Sequence, residues 1–150
     1  MFKRILVALD GSKASENALY TAIQEARLRN AELNAVYVVQ HLFTHQMVID
    51  SPVGAPETNP EMMDEILSAE AQRILLHAKE ISHDEGVDII IHIKHGDPRE
   101  EIPAFSDEIH ADLVILGTRG KSSLERLLLG SVSSAVIMNS KITTLLVKGK

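Results

Sequence analysis

The chain has 150 residues and a formal net charge of −6, with 45% hydrophobic, 24% charged and 3% aromatic residues. That length suits one domain, expected over residues 1–150 and able to bury about 70% of its unfolded surface; the apolar content is too high for a disordered chain. The acid excess and the absence of tryptophan argue against nucleic acid as a partner, which needs clustered cations and stacking rings, and no apolar run reaches membrane-spanning length.

From the amino end, Met1-Phe2-Lys3-Arg4 runs directly into strand-like sequence, without the apolar segment and small-residue cleavage site of a signal peptide. There is no cysteine for a disulfide or a thiolate site. Both features make a cytoplasmic location the expectation.

Residues 3–9, KRILVAL, read as a short buried strand ending at Asp10-Gly11-Ser12. Beyond it Leu19, Ala22, Ile23 and Ala26 recur at helical spacing, with Ser12 as the N-cap. A second strand fits 33–39, LNAVYVV. From His41 to Pro60 the pattern fails, punctuated by Pro52, Gly54, Pro56 and Pro60, which predicts a long loop. Leu67, Ala71, Ile74, Ala78 and Ile81 then mark a long helix stopping near Gly86. In 87–94, VDIIIHIK, the second half alternates Ile91-His92-Ile93-Lys94, as an edge strand with one wetter face does.

His95-Gly96-Asp97-Pro98 supplies turn, cap and first helical residue, and Ile102, Phe105 and Ile109 continue as one helix face. Residues 112–116, DLVIL, form the fourth strand, Val132, Ala135, Val136 and Asn139 the next helix, and 143–147, TTLLV, the last strand. Strands alternating with helices imply a parallel sheet with right-handed crossovers, hence a doubly wound, Rossmann-like α/β fold with helices on both faces. Such sheets bind ligands beyond the carboxyl ends of their strands, where strand order reverses. Asp10, the 39–41 turn and Gly117 are expected to meet there.

One stretch departs from the rest: GTRGKSSLERLLLGSVSS, residues 117–134. It is not a P-loop, because Ile115 stands where that motif needs its first glycine, and no G-x-G-x-x-G follows the first strand. Gly117 and Gly120 directly follow a buried strand, where missing Cβ atoms let backbone amides approach a ligand. Gly130-Ser131-Val132-Ser133 opens a helix whose free N–H groups and positive dipole end suit an anion, with two serine hydroxyls as further donors. Between them Arg119, Lys121 and Arg126 face only Glu125. A single glycine more often makes only a turn or a cap; three at this spacing after the fourth strand point to phosphate.

The pattern G-x2-G-x9-G-S, carried by Gly117, Gly120, Gly130 and Ser131, resembles the ATP-binding branch of the universal stress protein family. The opening KRILVALDGS, the GDP at Gly96 and ADLVILGTRG from Ala111 are similar to that family at the expected places. The resemblance implies a five-stranded parallel sheet of order 3-2-1-4-5, usually dimeric, that holds ATP at its carboxyl edge. It implies that Ala8 and Asp10 line the base and ribose region, that Val38 offers its backbone to adenine, and that Leu116 packs near the base. Gly117, Arg119 and Gly120 would border ribose and phosphates, and Gly130, Ser131, Val132 and Ser133 would wrap the phosphate tail. Many relatives open the last strand with Pro-Val, where this chain has Ile142-Thr143-Thr144.

Asp10 suits contact with a ligand, a metal-bound water or its own Gly11-Ser12 turn. Mg²⁺ is expected only through nucleotide phosphates, without a protein cage. Of seven histidines, the pairs His41/His45 and His92/His95 lack a geometry for metal and read as solvated surface. Glu100 and Glu101 fit the dipole of a helix's first turn, and Met47, Met62 and Met63 flank the long loop. The edge strand 143–147 invites pairing with a second copy, giving a C2 dimer. No serine-base or paired-acid arrangement commits the chain to catalysis. The expected function is therefore a regulatory, stress-response nucleotide binder with ATP, ADP or AMP and a possible protein partner. The alternatives are a nucleotide-independent dimeric interaction module and a slow ATPase or phosphotransfer enzyme.

Overall fold

The run RILVAL forms strand β1 (Arg4–Leu9), whose residues alternate between two buried layers. In this computed structural model, which describes residues 1–40, 60–119 and 130–149, it is followed by α1 (Lys13–Arg29), β2 (Glu32–Val39), α2 (Pro60–Asp84), β3 (Ile89–His95), α3 (Pro98–Glu108), β4 (Leu113–Gly117), α4 (Ser131–Asn139) and β5 (Thr143–Val147). The strands pair in parallel, as their alternation with helices predicts, in the order β3-β2-β1-β4-β5 that the family resemblance implies. The long 41–59 segment, Gly120, Lys121 and Arg126 lie outside the described residues.

Strand parity builds the two layers. Ile5, Val7 and Leu9 of β1, with Leu33, Ala35 and Ile115, meet Leu19, Ala22 and Ile23 of α1 and Ala71, Leu75 and Ala78 of α2. The opposite face carries Leu6, Val36, Val38, Val114 and Leu116 against Ile102 and Phe105 of α3 and Val136 of α4. Each fully buried Val, Leu or Ile contributes roughly 1.5–3 kcal/mol. A charge at any of these positions would break its layer.

Local signals set the ends. Ser12 caps α1, accepting from the Ser15 amide, and Asn30 closes it in the left-handed conformation with φ 52°. Asp97 caps α3 with Pro98 as its first residue. One boundary differs from expectation. Pro60 reads as a loop residue but begins α2, because a proline at the first helical position gives up an N–H that has no helical partner there. Among the described residues no helix is long and apolar enough to cross a membrane.

Candidate functional site

The middle of the sheet opens at its carboxyl edge. Pairing between β1 and β4 ends at Val7 and Ile115. Yet β1 stays paired with β2 to Leu9 and Tyr37, and β4 with β5 to Gly117 and Val147. The two central strands thus part for their last residues, which leaves a crevice at the point where strand order reverses. Ala8, Val38, Leu116 and Val132 all belong to the apolar layer that α3 and α4 share with the sheet. Asp10 follows β1 on one side of the opening and Gly117 ends β4 on the other.

On the β1 side the chain closes its own turn. Gly11, at φ 83°, lets the backbone reverse. One carboxylate oxygen of Asp10, Oδ1, accepts the Ser12 amide at 2.9 Å. Ser12 Oγ accepts the Ser15 amide at 3.1 Å, and the Ser12 carbonyl accepts the Glu16 amide at 3.0 Å. Ser15 Oγ donates to the Ser12 carbonyl and accepts from the Asp10 amide. The turn-capping role of Asp10 is therefore filled through one oxygen.

The β4 side is built differently. Gly130, with φ −60° and ψ 155°, is the N-cap of α4, and among the described residues no side chain caps that helix. Its own amide donates to the Thr118 carbonyl at 2.8 Å, and its carbonyl takes the Ser134 amide at 3.0 Å. The peptide groups of 131–133 thus form a helix start with no side-chain acceptor among the described residues, where the positive dipole end lies. Of the two hydroxyls expected as donors, that of Ser131 is on an exposed residue, whereas buried Ser133 donates its proton to the Gly117 carbonyl at 2.7 Å.

Gly117 has a structural partner that the sequence did not disclose. A Cβ there would lie 2.7 Å from both the carbonyl carbon and Cβ of Ala14, so its missing side chain admits the first turn of α1. Arg119 is half-buried, and its carbonyl faces the Ser12 hydroxyl at 3.4 Å. Gly120 falls outside the described residues. Thr118, which sequence reasoning passed over, donates to the Val147 carbonyl at 2.9 Å while accepting from Gly130, and so ties β5 to the head of α4. Its side chain carries no signal for this, because both bonds are made by the backbone.

The reading of His92 as solvated surface is corrected. Its Nε2 lies 2.9 Å from Asn34 Oδ1, and its ring meets Phe105 edge-on with centroids 4.7 Å apart. Asn34 in turn donates to Glu32, which also receives Arg4. Since the Asn34 amide nitrogen points at Glu32, its oxygen faces His92, whose Nε2 therefore carries the proton. Burial, and then Lys94, hold the His92 pKa below its ordinary value. The Asn34 hydrogen bond likewise holds Glu32 below the usual carboxylate range. The ladder crosses three strands under α3, where period-two alternation alone leaves the partner of a polar residue open. His95 is exposed. Among the described residues no group of three acids or histidines is placed to hold a metal ion.

The model of the universal stress protein family matches residues 1–148. This chain belongs to that family. It is 38% identical over 149 residues to universal stress protein MJ0531 of Methanocaldococcus jannaschii, covering 99% of this chain and 83% of that one. Among solved structures it is similar to the protein MJ0577, with a TM-score of 0.82 at 29% identity, covering 100% and 98% of the two chains. It is also similar to a universal stress protein from Archaeoglobus fulgidus in complex with dAMP, with a TM-score of 0.64 at 25% identity, covering 99% and 98%. Family membership thus accounts for the sheet order.

Proposed function

We propose that this universal stress protein binds an adenine nucleotide in the crevice between β1 and β4, as part of a regulatory response to stress. The observation that carries the reading is the start of α4, which lacks a side-chain cap and sits where the sheet opens. The dAMP held by a family member of similar fold supports the choice of nucleotide. Ala8, Val38, Leu116 and Val132 would contact the base or its surroundings, and Asp10 a ribose hydroxyl through the oxygen its turn does not use. Gly117, Arg119 and Gly120 would border ribose and phosphates, and the amides of Gly130, Ser131, Val132 and Ser133, with the Ser131 hydroxyl, the phosphate tail.

The donors fit a phosphate, since a helix start and the exposed Ser131 hydroxyl can donate while, among the described residues, no carboxylate caps that helix. With ATP, ADP or AMP bound, the phosphates would supply the ligands for Mg²⁺. The protein's share is to bind and orient. We further propose a cytoplasmic homodimer joined through β5, whose strand lies at the edge of the sheet with Leu145 partly exposed. A bound nucleotide would then bias a surface offered to a protein partner.

A nucleotide-independent module is the second reading, favoured by one observation. Gly117 and Ser133 both have packing or bonding roles within the fold. Calorimetry with ATP, ADP and AMP, together with mass spectrometry of small molecules released on denaturing the fresh protein, separates the two. Near-stoichiometric adenine nucleotide and a saturable heat are expected. Absence of both would leave the motif purely architectural.

A further inference from the structure

We propose that Gly149 is a positioning residue, and that the segment following β5 is a strap that fixes the first turn of α4 against the end of β4. The proposal rests on the nucleotide reading for its ligand, whereas its mechanics stand apart from that reading. After β5 the chain crosses the start of α1, where Asn17 Nδ2 donates to the Lys148 carbonyl at 3.2 Å. A Cβ at Gly149 would lie 2.9 Å from Ala14 Cβ and 3.0 Å from both its Cα and its amide nitrogen. Gly117 makes its own close approach to Ala14, at 2.7 Å from its Cβ and carbonyl carbon. Ala14, only 5% exposed, is therefore held against two glycine backbones, and this contact is the clamp.

The clamp reaches α4 through two consecutive peptide units. Gly117 offers its carbonyl to Ser133 Oγ, and Thr118 offers its carbonyl to the Gly130 amide. Thr118 is held from behind by its N–H bond to Val147, two residues before Gly149. Gly130 and Ser133 bracket the first turn of α4, so the placement of its amides depends on where Ala14 and the strap hold 117 and 118. Any side chain at 149 meets backbone and Cβ atoms of a packed helix, which cannot swing aside as a flexible side-chain tip can.

The test compares the full chain with its Gly149→Ala and Gly149→Val variants, and with Gly149→Ala combined with Ala14→Gly. The readouts are exchange of the two bonded amides at the head of α4, those of Gly130 and Ser134, without nucleotide, the ATP dissociation constant and the melting temperature. Exchange of both should quicken in the order wild type, alanine, valine. ATP affinity should fall about threefold and then about tenfold, and Ala14→Gly should recover part of the alanine loss by removing the nearest obstructing atom. A drop in melting temperature with Gly130 and Ser134 exchange and ATP affinity all unchanged would overturn the strap, showing a merely structural contact. If the valine variant fails to fold, the alanine pair decides. If the wild-type protein takes up no ATP, the nucleotide reading fails by itself, and the exchange measurement still upholds or overturns the strap.

Discussion

Two helix starts, those of α1 and α4, face the same edge of the sheet and are finished in opposite ways. At α1 the chain supplies its own acceptors, with Asp10 Oδ1 on the Ser12 amide and Ser12 Oγ on the Ser15 amide, and Gly149 roofs Ala14. At α4 the cap is a glycine, which brings no side chain to the amides behind it. Both ends carry the same dipole, worth up to about 1 kcal/mol toward an exposed negative charge. What differs is whether the protein has already placed an acceptor there. A third start, that of α3, is closed by Asp97, whose carboxylate also pairs with Arg99 at 2.7 Å and is held below its usual pKa by that partner. The contrast is the reason for proposing that an outside anion sits at α4, the one of these three starts without a side-chain acceptor among the described residues.

Converting α4 into a copy of α1 should have the largest effect. Gly130→Asp places a carboxylate over the amides of 131–133, and the residue's φ of −60° and ψ of 155° accept any side chain. ATP affinity measured by calorimetry should drop about a hundredfold, or about 2.7 kcal/mol. The melting temperature should hold or rise slightly, because aspartate caps a helix better than glycine by a few tenths of a kcal/mol. Affinity unchanged in a folded variant would remove α4 from the binding site.

Opening α1 should act on stability instead. Ser12→Ala deletes the acceptor for the Ser15 amide and should cost about 1 kcal/mol, which is about 2–4 °C of melting temperature for a chain of this size. ATP affinity should stay within about threefold of wild type, since the Ser12 hydroxyl itself is assigned no ligand contact and the Ser12 amide that holds Asp10 is kept. Chemical denaturation alongside calorimetry would expose the contrast, or abolish it if affinity fell as far as in Gly130→Asp.

The smallest effect lies away from both ends, at His92. Its folded pKa is below its unfolded value, so protonation costs the folded state. Stability should therefore be fully kept above about pH 6.5 and decline as pH falls below that, until the lowered folded value is passed. Lys94 and burial favour the neutral ring, while Glu108 and Glu32 oppose them. Comparing melting temperatures at neutral and mildly acidic pH, the decline should be shallower in His92→Gln than in wild type. Equal slopes would show that the Asn34 ladder carries no proton linkage.

Much of the fold could be read from the chain because its signals are local. Ser12 and Asp97 act within three residues of themselves, and the parity of Leu6 and Ala8 against Val7 and Leu9 sorts β1 into its two layers. The glycine motif was legible as a pattern, though the reason for its first glycine was not. Gly117 meets Ala14, more than a hundred positions away, and nothing near it in the chain announces that contact. His92 was misjudged for a similar reason, since Asn34 and Phe105 reach it from other elements.

By itself the sequence determined the alternation of strands and helices, the two-faced sheet, most of the caps and the family pattern at 117–131. These follow from side-chain period and from turn chemistry, which neighbours along the chain enforce. Only the tertiary structure decided which backbone donors have a partner and which do not, through links such as Thr118 to Val147 and Ser133 to Gly117. Hydrogen-bond satisfaction is settled over space, so whether a helix end keeps donors for a ligand is defined only once every other segment has taken its place.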